Sequence, residues 1–164
     1  MLTSFDSLDA ANLLETGILR VNKLARLCRL GPRRNSRSTT PAGGRGKNRH
    51  YSVEELCQVA LAYWLFRAGL RGPFIASILA DKAVDRFIAP LSSFKRIRAE
   101  AVRRRFLIVS GFKTMRKAKA WTVKHERAAF VGNLRKMLTI VGNRSCVIVP
   151  VGRLLQELAD KILG

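Results

Sequence analysis

Acidic residues are scarce in this sequence. Its 164 residues contain 11 Asp and Glu against 31 Lys and Arg, and the formal net charge is +20. A compact fold with so large an excess of one sign repels itself, and a polyanion relieves this repulsion by exchanging condensed counterions for protein cations. The composition therefore favours nucleic acid as the partner.

Long hydrophobic runs are also missing. The longest uninterrupted apolar stretch covers residues 59–66, whereas a helix needs roughly 20 apolar residues to cross a bilayer. The first basic residue is Arg20, and Asp6, Asp9 and Glu15 precede it, which is the reverse of a secretory signal. We therefore expect no membrane partner and a cytoplasmic, nucleoid-associated protein.

Cysteine and histidine are few, and their spacing argues against disulfide and metal chemistry. Cys28, Cys57 and Cys146 are odd in number and include no Cys-x-x-Cys pair, so we expect reduced, buried thiols. Neither His50 nor His125 has a Cys or carboxylate at the spacing of a metal site around it. The sequence therefore predicts no metal site.

Motifs of catalysis are missing as well. The sequence has no phosphate-binding glycine-rich loop followed by Lys-Ser or Lys-Thr, no nucleophile elbow and no clustered acidic residues for a metal pair. The pair His125-Glu126 could indicate acid-base chemistry, but a helix start with Glu in its first turn explains it equally well. We therefore expect no catalytic residues, no cofactor, and a protein that is not an enzyme.

The apolar pattern predicts an α+β fold that is mainly helical. Hydrophobic residues make up 48% of the chain, enough to bury roughly two-thirds of the unfolded surface. Ser52 and Glu55 have the spacing of a capping box in front of a strongly apolar helix, and Gly69 stands where that helix would end. Gly72-Pro73 then predicts the start of the next helix.

Further along the chain the pattern changes from helices to short apolar runs. Residues 82–105 continue helically with an interruption at Pro90. Strands are predicted over residues 106–109, 120–123 and 146–149. Helices are predicted over about residues 126–138 and over residues 151–163. The C-terminal third is therefore predicted to be α+β.

The strongest local charge feature lies before Tyr51. Residues 20–49 contain ten Lys and Arg and no Asp or Glu. Residues 32–39 are almost wholly polar and could form a weak helix, while residues 41–47 have the glycine and proline content of a basic hairpin tip. A disordered basic linker is the alternative, because Ser, Thr, Gly and Pro bury too little surface to order themselves.

Taken in order, these features resemble the MerR-like winged helix-turn-helix domain. The resemblance covers residues 18–81 and is carried by a short helix at residues 21–28, the polar segment, the glycine-rich hairpin, the pattern Arg49-x-Tyr51-Ser52-x-Glu54-Glu55-Leu56, and the two helices that follow it. It implies that residues 32–38 form the reading helix of the major groove. It also implies that residues 42–49 form the wing along the DNA backbone.

The candidate DNA-binding residues follow from this assignment: Arg33, Arg34, Asn35, Arg37, Ser38, Arg45, Lys47, Arg49 and Tyr51. The first four have the donors and acceptors that reach base edges. The cations of residues 45–49 are better suited to phosphates, which position the protein without reading sequence. Core packing is the first interpretation for the aromatic residues Tyr51, Tyr63, Trp64, Phe66, Trp121 and Phe130, since they fall on or beside apolar stripes.

The predicted organisation has four parts: an N-terminal amphipathic segment (1–17), the winged helix-turn-helix (18–81), a helical connector (82–105) and an α+β module for dimerisation or regulation (106–164). We expect a bacterial or phage transcriptional regulator that binds double-stranded DNA sequence-specifically, as a homodimer on paired half-sites. An excisionase-like architectural factor, a non-catalytic adaptor or anti-repressor, and an RNA-binding protein are the alternatives.

Two further basic clusters remain open to either interpretation. Residues 103–105 are three consecutive arginines, and residues 113–119 hold four more cations. A solvated face or hairpin turn explains them at least as well as a second DNA contact.

Overall fold

The computed structural model describes residues 4–28, 50–91, 93–117, 120–125, 127–133, 135, 139 and 145–163. Within them the fold is α+β and mainly helical, as predicted. The elements in chain order are β1 (Ser4–Phe5), α1 (Ser7–Leu13), α2 (Ile18–Leu27), β2 (Tyr51–Ser52), α3 (Val53–Arg67), α4 (Gly72–Leu79), α5 (Lys82–Ile88), α6 (Phe94–Arg103), β3 (Phe106–Ser110), β4 (Lys113–Lys117), β5 (Ala120–Lys124), β6 (Arg127–Val131), β7 (Cys146–Val149) and α7 (Val151–Leu163).

Helix α3 begins and ends where the sequence predicts. The Ser52 hydroxyl accepts a hydrogen bond from the Glu55 N–H at 3.2 Å, and the Glu55 carboxylate accepts one from the Ser52 N–H at 2.9 Å. At the other end Gly69 has a φ of +89°, and the Leu70 N–H donates to the Leu65 carbonyl. The capping box and the left-handed glycine cap are therefore both confirmed.

The core is built around α3, which is buried along most of its length. Because this helix is apolar on nearly every side, other elements must surround it, and α2, α4 and α5 all pack against it. The same continuous core takes Phe5 from β1 and Leu155 from α7. All four predicted segments thus contribute to one core, and their division into separate units stays a prediction.

The C-terminal part contains a three-stranded antiparallel sheet in the order β6-β3-β7. The strands predicted over residues 106–109, 120–123 and 146–149 are confirmed. The helix predicted over about residues 126–138 is wrong at its start, because β6 occupies residues 127–131 and pairs with β3 along its whole length. Pairing with a buried strand outweighs the local preference of these residues.

Strands β4 and β5 form a second unit, a two-stranded antiparallel ribbon that is separate from the three-stranded sheet. We call it the basic ribbon. The sequence predicts β5 but not β4, since residues 113–117 lack an apolar run. Its register places Lys113 opposite Lys124 and Lys117 opposite Ala120.

Two glycines allow main chain to pack directly on main chain at the end of α6. A Cβ atom on Gly152, in the first turn of α7, would lie 2.4 Å from the Ala101 carbonyl oxygen. The Gly152 N–H donates to the Arg105 carbonyl at 3.0 Å. A Cβ atom on Gly132, just after β6, would lie 2.7 Å from the Arg103 carbonyl oxygen. Helix α7 and the end of β6 therefore approach α6 more closely than any other residue type would allow.

Candidate nucleic-acid interface

Most residues predicted to contact DNA lie outside the described residues: Arg33, Arg34, Asn35, Arg37, Ser38, Arg45, Lys47 and Arg49. Tyr51 is described, and its side chain is 2% exposed and packs in the core. The interpretation of this aromatic residue as a core residue is therefore confirmed. A DNA contact by Tyr51 stays a prediction, and it would require the phenol to leave the core.

The chain is anchored on both sides of the predicted reading segment. Cys28, directly after α2, is buried, and its thiol lies 3.6 Å from the Gln58 carbonyl oxygen on α3. Tyr51 stands in β2, opposite Phe5 of β1. The basic stretch between Cys28 and Tyr51 thus leaves and rejoins the core at two fixed points.

Helix α2 presents three exposed cations. Arg20, Lys23 and Arg26 are exposed, and their three-residue spacing places them along one side of the helix. The opposite side, with Val21 and Leu24, is buried against the core. None of the three cations forms an ion pair with a carboxylate of the described residues. We call Arg20, Lys23 and Arg26 the α2 cations.

Three exposed cations on α6 and α7 differ from the α2 cations, because each of the three forms an ion pair with a carboxylate. The pairs are Arg98 with Asp160 at 2.8 Å, Arg153 with Glu157 at 2.8 Å, and Lys161 with Glu15. The hydrogen bond from Lys161 lowers the pKa of the Glu15 carboxyl group. These three pairs place a negative charge beside each of these cations, whereas the α2 cations have no ion pair with a carboxylate of the described residues.

A groove of about 830 Å³ lies beside the α2 cations, between α2 and the ends of α3 and α4 that face it. The Arg20 guanidinium lies 5.0 Å from the centroid of the Phe66 ring, a cation–π distance. Phe66 is 42% exposed, so its interpretation as a core residue is wrong. Its ring instead holds Arg20 at the wall of the groove, which reduces the side-chain entropy that a phosphate contact would cost.

A second polar arrangement lies where α4 meets the end of β5. The His125 ring, 7% exposed, has Nδ1 at 3.1 Å from the Ser77 hydroxyl and Nε2 at 2.9 Å from an Asp81 carboxylate oxygen. The other Asp81 oxygen accepts the Ala83 N–H at 2.7 Å and so caps α5. We call Ser77, His125 and Asp81 the His125 clasp.

The His125 clasp contains the three residue types of a Ser-His-Asp catalytic triad, but its geometry and surroundings indicate a structural role. In the serine protease triad the aspartate holds Nδ1 and the serine meets Nε2, whereas here the two ring nitrogens are exchanged. Neither the 830 Å³ groove nor a 420 Å³ groove between α3 and α7 is lined by any clasp residue. The clasp connects three elements of the fold: α4, the N-terminus of α5, and the end of β5.

Sequence reasoning missed the clasp because its members are far apart in the chain. His125 is 48 residues from Ser77 and 44 residues from Asp81. The interpretation of His125-Glu126 as a helix start is wrong, because β6 begins at Arg127. Helical spacing does not link Ser77 and Asp81 either, because α4 ends at Leu79 and Asp81 is the N-cap of α5.

The cysteines act as packing residues. Burial raises the pKa of the Cys28 and Cys57 thiols to about 12, so both stay protonated at neutral pH. Cys146 is only half buried, unlike the buried thiol that we expected. Within the described part of the chain, no group of three His, Cys, Asp or Glu side chains is placed to hold a metal ion. No helix there is long and apolar enough to span a bilayer.

No protein-family model matches this chain, and no curated protein matches its sequence. The resemblance to the MerR-like domain therefore rests on the residues quoted for it.

Proposed function

We propose that the protein is a sequence-specific regulator that binds double-stranded DNA. In this proposal the basic stretch before Tyr51 enters the major groove, and the α2 cations contact the phosphates beside it. The observation that carries the proposal is the charge arrangement on α2, whose exposed cations form no ion pair with any carboxylate in the described part of the chain and precede that stretch directly. A homodimer would present two such surfaces to paired half-sites.

The affinity of a folded protein for DNA depends on where positive charge without a neighbouring carboxylate is exposed. A carboxylate beside a cation, as at Arg98, Arg153 and Lys161, repels a phosphate and so reduces the net attraction at that site. Unpaired cations on a rigid helix release condensed counterions for each phosphate that they neutralise, and this release is the main source of affinity for DNA. The α2 cations are held by a buried helix face and, in the case of Arg20, by Phe66.

The test compares two charge-matched variants of the full chain. R20Q/K23Q/R26Q removes the α2 cations, and R98Q/R153Q/K161Q removes three paired cations from α6 and α7. Duplexes enriched from a random pool by the wild-type protein are titrated by fluorescence anisotropy at several salt concentrations. Each lost phosphate contact lowers the slope of log affinity against log salt by about 0.9, so the α2 variant should lose about 2.7. The control variant should keep the wild-type slope.

The same titrations separate reading from positioning. Replacing Arg33, Arg34 or Arg37 with Gln should weaken binding to the enriched duplex more than to a scrambled one. Replacing Arg45, Lys47 or Arg49 should weaken both equally. A wild-type protein that enriches no duplex from the pool, or an α2 variant that behaves like the control, would overturn the proposed function.

A further inference from the structure

The basic ribbon lies in a long stretch of the chain that contains no acidic residue. Residues 101–125 hold eight Lys and Arg and no Asp or Glu, and four of these cations, Lys113, Arg116, Lys117 and Lys124, belong to β4 and β5. The sequence left a solvated turn and a second DNA contact equally open. The structure shows that β4 and β5 pair with each other outside the three-stranded sheet.

Both strands of the ribbon are fixed at their base to the same helix. Phe112, directly before β4, meets the Phe74 ring of α4 edge-on, with the ring centroids 5.3 Å apart. His125, directly after β5, bonds to Ser77 of α4 and to Asp81 through the His125 clasp. Because both strands are held at the base, the ribbon has less conformational entropy to lose when it binds a partner.

The register of the ribbon places like charges together. Lys113 stands directly opposite Lys124, and like charges at opposed positions destabilise a strand pair. Lys117 stands at the other end of the same register, opposite Ala120. Two short paired strands that hold three lysines and no acidic residue are suited to a row of phosphates.

We propose that the basic ribbon is a second DNA-binding element, which contacts phosphates of the same duplex next to the site bound by α2 and the basic stretch. The inference rests on the proposed function and extends it. Lysine is a compact point charge without the planar fork that reads guanine, so the ribbon contributes affinity and not sequence preference. It lengthens the stretch of duplex that one protomer covers.

The test uses full-length K113Q/K117Q/K124Q, which loses the same three charges as the α2 variant and the R98Q/R153Q/K161Q control. Binding is measured on duplexes that carry the enriched site and extend by increasing lengths to either side. The ribbon variant should match wild type on the shortest duplex that binds. On longer duplexes its salt slope should fall by about 2.7 for three lost phosphate contacts, and its hydroxyl-radical footprint should shorten.

The outcomes distinguish the two proposals. If the wild-type protein binds the enriched duplex, the α2 variant loses salt dependence and the ribbon variant matches the control at every length, the ribbon proposal fails and the proposed function stands. If wild type enriches no duplex, the proposed function fails. The ribbon variant could also lose affinity for duplex RNA while it keeps its affinity for duplex DNA of every length. That result would overturn the ribbon as a DNA contact.

Discussion

The His125 clasp gives a prediction whose size can be worked out from the structure. Replacing His125 with Ala removes one hydrogen bond to a charged carboxylate and one to a neutral hydroxyl, both made by a ring that is 7% exposed. Such bonds contribute about 1.5–3 and about 0.5–1.5 kcal/mol respectively. We therefore expect H125A to lower the free energy of unfolding by about 2–4 kcal/mol, and S77A by about 1 kcal/mol.

Asp81 needs a separate substitution, because one of its oxygens also caps α5. D81N keeps an oxygen that can cap the helix but replaces the charged partner of His125 with a neutral one. We expect it to cost about 1–2 kcal/mol, between the S77A and H125A values.

Urea denaturation followed by circular dichroism measures these changes, and the double variant S77A/H125A supplies the coupling between the two side chains. Coupled partners should give an interaction energy of about 0.5 kcal/mol or more. Hydrogen exchange adds a local readout, since amides of β4 and β5 should exchange faster in H125A while those of β3 keep their protection. A loss below about 0.5 kcal/mol for H125A, or a uniform rise in exchange over the whole chain, would refute the clasp as a tie that holds the ribbon.

Two further predictions concern packing. Gly152→Ala should destabilise the fold by about 1–3 kcal/mol in urea denaturation despite the better helix propensity of Ala, because the new Cβ would lie 2.4 Å and 2.9 Å from backbone atoms. Gly72→Ala is the control, since its Cβ would meet only Leu27 side-chain atoms at ordinary contact distance. If Gly72→Ala lowers the free energy of unfolding as much as Gly152→Ala does, the argument is contradicted. At pH 8 an aromatic disulfide reagent should modify Cys146 of the native protein and reach Cys28 and Cys57 only on unfolding, because burial raises their pKa to about 12; fast reaction of all three native thiols would show that these sites are open.

The sequence predicted best those features that are decided within a few residues. The start of α3 depends on Ser52 and Glu55, and its end depends on Gly69. Each of these residues lies within one helical turn of the end that it determines. The start of α4 at Gly72 and the strand at β3 are equally local. These elements could be read from spacing because caps and short apolar runs carry their own signal.

Features decided by distant partners could not be predicted in the same way. Residues 127–131 form a strand because β3 lies beside them, and β4 exists because β5 pairs with it. The contact between the exposed Phe66 ring and Arg20 joins residues of two different helices. In the candidate interface, composition predicted the excess of positive charge. Only the structure shows that Arg98, Arg153 and Lys161 have carboxylate partners, whereas the α2 cations have none among the described residues.

The close approach at Gly132 and Gly152 has an evolutionary consequence. Both glycines meet the main chain of residues 101–105, and the Gly152 contact includes a hydrogen bond to a carbonyl there. A neighbour that recognises peptide groups is indifferent to the side chains that those peptides carry, so selection for stability constrains the two glycines and leaves the exposed Arg103 and Arg105 free to drift. In related sequences we expect both glycines to persist where these arginines have changed.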